Sequence, residues 1–120
     1  IGLLAGLICY GAVLLKARLR FDDSLDVVGI HGVGGVLGTI LVGVFASKLV
    51  NPAGADGLLA GNPGQLGVQL LAIAVVGVFA FAGSWLIMAA VKATTGLRLT
   101  PQAETIGLDL SEHTEAAYGE

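Results

Sequence analysis

The chain has 120 residues, of which 55% are hydrophobic and 12% charged, far below the roughly 25% charged residues of soluble domains. Its net charge of −3 argues against a nucleic-acid surface, and its single cysteine, Cys9, excludes an internal disulfide or a multi-cysteine metal site. Lys, Arg, Asp and Glu are absent from residues 1–15, 27–47 and 57–91, the segregation expected of an all-α membrane protein; the short alternating segments of a barrel are missing.

The first apolar span covers residues 1–15 and is read as shortened. Ile1 opens directly in the run, with no Met and no basic leader, unlike a signal peptide. The run ends in KARLR at residues 16–20, as membrane spans do. The chain is therefore expected to be the C-terminal part of a longer membrane protein. A charged turn follows, in which Asp22, Asp23 and Ser24 suit the N-terminus of the next helix.

The second span is predicted over residues 25–47. Its core, VVGIHGVGGVLGTILVGVFAS at 27–47, has His31 as its only ionisable side chain. An ionisable group at membrane depth is costly and marks a functional site by default. On a helix, Gly34, Gly35 and Gly38 lie three, four and seven residues below His31, with Val27 and Val28 above it. His31 is thus expected mid-span on a glycine-lined, concave face, and Gly34, Gly35 and Gly38 let a neighbouring helix approach. The glycines do not make a nucleotide loop, because Leu37 occupies the third glycine position of G-x-G-x-x-G.

Residues 48–64 are rich in Asn-Pro, Asp-Gly and Pro-Gly pairs and read as a polar connection. The third span is predicted over residues 66–91, about 39 Å of helix, long enough to tilt or project beyond the bilayer. The chain divides into a membrane part, residues 1–96, and a tail, residues 97–120, which carries Arg98 but otherwise acids. Pro101 is expected to start the tail in an extended or turn geometry. Lys and Arg cluster at residues 16–20 and 92–98, which places that turn and the tail in the cytoplasm and the Pro/Gly loop outside.

Two functions compete for His31. A neutral imidazole offers one donor and one acceptor, so it can hold a small polar solute or pass a proton in a transport pore. Alternatively it is the base of an intramembrane serine protease of the rhomboid type. That reading needs a serine in a G-x-S-G motif upstream, where only Ser24 of the charged turn is found; Gly83-Ser84-Trp85 lies downstream.

The block DDSLDVVGIHGVGGVLG at residues 22–38, with GVFA at 43–46, resembles the penultimate span of the ammonium transporter (Amt/Rh-type) family. The loop NPAGADG at 51–57, GNP at 61–63, GLR at 96–98, GLDLSEH at 107–113 and Ala117-Tyr118 are similar to the same family, and to its bacterial members in the loop. The resemblance implies the last three of eleven spans, a homotrimer, and one narrow apolar pore per subunit in which two histidines share a hydrogen bond. His31 matches the second of them and Val27 a pore-lining position near the cytoplasmic exit. It also implies a multi-pass protein of the cell (inner) membrane, ammonium or ammonia as substrate, no enzymatic activity and no cofactor or metal. The tail residues Gly107, Asp109, Ser111, His113 and Tyr118 match a regulatory element that answers a PII-type signal protein. In some plant relatives a phosphorylated threonine stands at the position of Ser111. Ile106, Leu108 and Leu110 are spaced too regularly for a simple solubility tail, and docking through them, with Asp109 and Glu112 meeting Lys16, Arg18 or Arg20, is expected. The three spans alone are not expected to form a pore.

Overall fold

An apolar run with its cations held back to the last turn makes α1, Gly2–Leu19. Lys16 and Arg18 there face the negative end of the helix dipole, where cations are favoured. The helix therefore runs beyond the expected end at residue 15 and stops at Arg20, which turns left-handed at φ 53°. The next helical segment starts later than expected. Asp26 is left-handed at φ 55°, which no right-handed helix accommodates. After it come one π-turn, Val28–Gly32, and α2, Val33–Phe45.

The connection after α2 is ordered by its own polar groups. The Lys48 N–H donates to Asp56 Oδ1 at 2.8 Å, and Asn62 Nδ2 donates to the Asp56 carbonyl at 3.0 Å. A single 3₁₀ turn, Leu58–Ala60, closes it. Helix α3 then spans Pro63–Thr94. Pro63 begins it three residues before the expected start, because the first helical position needs no N–H donor. At 32 residues it is about 48 Å long.

The tail holds two short helices, α4 (Pro101–Ile106) and α5 (Leu108–His113). Pro101 is the first helical residue rather than an extended one. The extended residue is Thr100, at ψ 151°, and its Oγ1 accepts from the Ala103 N–H at 3.3 Å. Proline disfavours helical backbone in the residue before it, and Thr is a good helix cap. Gly107 separates the two helices at φ 100°.

The structure is a computed structural model that describes residues 1–20 and 22–116. It divides into two units, Ile1–Phe79 and Ala80–Glu120, with the boundary inside α3. Among the described residues there are helices and no strand. Three helical segments, Gly2–Leu19, Val28–Phe45 and Pro63–Thr94, are long and apolar enough to cross a membrane. Leu41 is the one buried apolar core side chain among the described residues, and α3 buries none of its residues. A helix that is apolar all round and unburied in its own chain belongs in lipid or against other apolar helices.

Candidate functional site

The site begins with the way α1 and the π-turn meet. A Cβ at Gly29 would stand 3.0 Å from Val13 Cγ2 and 3.4 Å from the Val13 backbone nitrogen, and one at Gly34 would stand 3.1 Å from Cys9 Sγ. Two glycines five residues apart thus let α1 lie close against the start of the second span. The Cys9 thiol donates weakly to the Ile30 carbonyl, at 3.9 Å. Above this contact a cavity of about 600 Å³ is lined by Ala12, Leu15, Lys16, Val28 and Val33 among others.

His31 is the fourth residue of the π-turn. It sits in the first turn of the Val28–Phe45 segment. It is exposed. The turn closes when the Val33 N–H donates to the Val28 carbonyl, five residues back. Val28 lines the cavity beside α1, and Val27 is exposed and stands four residues before the histidine.

The three glycines expected beside His31 separate into two roles. Gly34 packs on Cys9, whereas a Cβ at Gly35 or Gly38 would meet nothing within 4 Å. Gly35 also lines a groove of about 370 Å³ with Thr39, Ile73 and Val76. The Thr39 hydroxyl donates to the Gly35 carbonyl at 2.8 Å, so the only hydroxyl of α2 is satisfied within its own helix. Small and apolar groups therefore form the open side of α2 below His31.

The acidic turn is more committed than its sequence suggests. Of the three candidate caps, Asp23 does the capping: its carboxylate accepts from the Val27 N–H at 3.0 Å and the Val28 N–H at 2.8 Å. Lys16 pairs with Asp26 and donates to the Asp23 carbonyl. Sequence reasoning missed Lys16, Asp26, Cys9 and Gly29 as supports of the histidine turn. The signal in the sequence was a cluster of cations, Lys16, Arg18 and Arg20, at the end of an apolar span, followed by Asp22, Asp23 and Asp26.

In the tail, Asp109 and His113 stand in the first and last turns of α5. Gly107 is left-handed, and a Cβ there would clash with Asp109 Oδ1 at 2.8 Å. The Ser111 hydroxyl is buried and has no hydrogen-bond partner among the described residues. Ile106, Leu108 and Leu110 are all exposed. Arg98 pairs with Glu104 at 3.4 Å, a solvent-facing contact worth about 0–1 kcal/mol. Tyr118 lies outside the described residues.

Comparison with known proteins agrees with this architecture. A sequence model of the Ammonium Transporter Family matches residues 1–118. The chain is 46% identical over 118 residues to "Ammonium transporter Amt1" of Archaeoglobus fulgidus, covering 98% of this chain and 30% of that protein. It is 43% identical over 119 residues to "Ammonium transporter" of Bacillus subtilis, again covering 98% and 30%. With "Ammonium transporter 1" of Dictyostelium discoideum the identity is 44% over 109 residues, 91% of this chain and 24% of that protein. The chain thus spans 24–30% of the length of these curated relatives. Their names describe transporters rather than enzymes, and nothing in the comparisons supports a rhomboid-type protease. With three helices long and apolar enough to cross a membrane and a match over nearly its whole length, the chain has the make-up of a multi-pass membrane protein and belongs to the Ammonium Transporter Family.

Proposed function

We propose that this chain contributes to a pathway for ammonium or ammonia through a homotrimeric channel of the cell (inner) membrane, with His31 as one member of a pore histidine pair and Val27 lining the apolar pore. The observation that carries the reading is the family match over residues 1–118, which includes the one ionisable side chain of the second span. The physics agrees with the residue types. An unpaired ion in an apolar tube costs several kcal/mol or more, whereas neutral ammonia crosses at little cost and needs a polar contact on the way. Ammonium would lose its proton before or at the apolar section, and ammonia would pass beside the imidazole. The role in the cell would be nitrogen uptake.

The test is ammonium and methylammonium flux into liposomes carrying the full-length protein, with potassium as the competing ion. Selective flux of the first two is expected. Equal passage of potassium, or no flux of either, would refute the reading.

Topology is a second expectation. A reporter in the turn at residues 16–20 or after Arg98 should read cytoplasmic, and one near Gly57 should read external. The opposite pattern would contradict the charge asymmetry on which the orientation rests.

The tail is proposed to be a coupling element that docks on the cytoplasmic face through Ile106, Leu108 and Leu110. Gly107, Asp109, Ser111, His113 and Tyr118 complete its regulatory surface, and a PII-type protein is its partner. Exposed ion pairs contribute little each, so docking would be weak and reversible, and a partner would need to shift only a small free-energy difference. Deleting residues 101–120 from the full-length protein is expected to change transport rate or its response to nitrogen status while the protein stays in the membrane. Unchanged flux and unchanged response would show an inert tail.

A further inference from the structure

The π-turn that carries His31 is tethered at its entrance. Lys16, in the last turn of α1, reaches both the Asp26 carboxylate and the Asp23 backbone carbonyl. Asp23 in turn uses both carboxylate oxygens on the Val27 and Val28 N–H groups, at 3.0 and 2.8 Å. The Asp26 carbonyl accepts from the Ile30 N–H at 2.9 Å. Asp26 holds its left-handed backbone, φ 55°, while bonded on both sides. The Lys16 and Asp26 side chains are only 20% and 32% exposed, so solvent screens this pair less than a surface one.

A left-handed residue carries an energetic cost that the surroundings must hold in place. Here the ion pair from α1 holds it, and Asp26 lies five residues before His31. We infer that Lys16, Asp26 and Asp23 form a positioning clasp that sets the rotation of the π-turn and thereby the direction of the His31 imidazole. The clasp deepens the pore reading of His31 and rests on it for its effect on transport; its effect on the turn itself does not depend on that reading. Lys16, Asp26 and Asp23 are positioning residues, acting through the turn rather than on the solute.

The experiment uses the full-length protein in lipid, with two readouts: hydrogen exchange of the amides at residues 27–32, and the ratio of ammonium to methylammonium flux. The variants are Lys16→Met, Asp26→Asn, their double, and Lys16→Arg. Asn tolerates left-handed backbone, so Asp26→Asn removes the charge and leaves the conformation accessible. Each single variant is expected to speed exchange and to change the flux ratio by roughly fivefold, and the double variant is expected to do no more than either single, as contacting partners behave. Lys16→Arg is expected to keep both readouts near those of the unsubstituted protein. Unchanged exchange in both singles, or single effects that multiply in the double, would overturn the clasp. Faster exchange with an unchanged flux ratio would overturn its role in aiming His31. Faster, coupled exchange in a protein that does not conduct ammonium at all would uphold the clasp on the turn and refute the pore reading separately.

Discussion

Gly57→Ala is expected to destabilise the protein by roughly 3 kcal/mol, the upper range for inserting a methyl group into a site that cannot yield. A Cβ at Gly57 would lie 2.8 Å from the Gly43 carbonyl oxygen, 2.9 Å from that of Val44 and 3.0 Å from the Ala46 nitrogen. All three are backbone atoms at the end of α2, so no rotamer change relieves the contact. Gly57 has φ −92° and ψ −171°, a conformation open to any residue, so space rather than backbone geometry demands glycine. Its N–H donates to the Ala46 carbonyl at 2.8 Å, and its own carbonyl accepts from the Asn62 N–H at 3.0 Å. Displacing it would therefore disturb both the α2 exit and the α3 entry. The contrast is Gly77→Ala in α3, where a Cβ would meet nothing within 4 Å and where alanine is the better helix former by up to about 1 kcal/mol. Thermal unfolding of the full-length protein in detergent should show a drop of several degrees for Gly57→Ala and no drop for Gly77→Ala. Equal midpoints for Gly57→Ala and the unsubstituted protein would refute the close packing of the loop on α2.

His31→Ala is expected to lower ammonium flux, or its selectivity over potassium, by at least about tenfold, equivalent to roughly 1.4 kcal/mol in the barrier. Among the described residues the His31 side chain is exposed and makes no hydrogen bond. Its removal breaks no polar contact among the described residues, so altered flux would report on the conduction path rather than on the folding of this segment. His31→Glu is the sharper variant, because it keeps a proton carrier while introducing a potential negative charge. Where ammonia and not ammonium crosses, such a charge should admit cations and convert selective flux toward ion leakage. Flux and current measured side by side in liposomes separate the two effects. Unchanged flux and unchanged selectivity in His31→Ala would make the histidine a structural residue only.

Much of the architecture was legible because it depends on quantities that add along the chain. Rise per residue and the spacing of charges locate the three membrane-crossing segments to within a few residues. The deviations also have local causes: α1 extends through Lys16 and Arg18 because cations suit a helix C-terminus, and α3 starts at Pro63 because a first-turn proline loses no hydrogen bond. The Asp23 cap was foreseen as one of three candidates, and only the position of the next helix selects it over Asp22 and Ser24.

The surroundings of His31 were not legible in the same way. A period of 3.6 residues does not foresee the π-turn at residues 28–32 or the left-handed Asp26. Neither feature has a signature in local propensity; each goes with contacts between segments far apart in the chain, Val13 against Gly29, Cys9 against Gly34 and Lys16 against Asp26. Gly57 follows the same rule, since its neighbours at residues 43–46 come close only once the loop has folded back. Three helices apolar and long enough to cross a membrane, the family motif and a histidine within the second helix could all be read from the residues alone, because hydropathy, length and motif are properties of contiguous residues. Which glycines are close contacts, which acid caps and which pairs, and how the histidine turn is wound came from the folded chain, because they depend on distances between segments that no local pattern encodes.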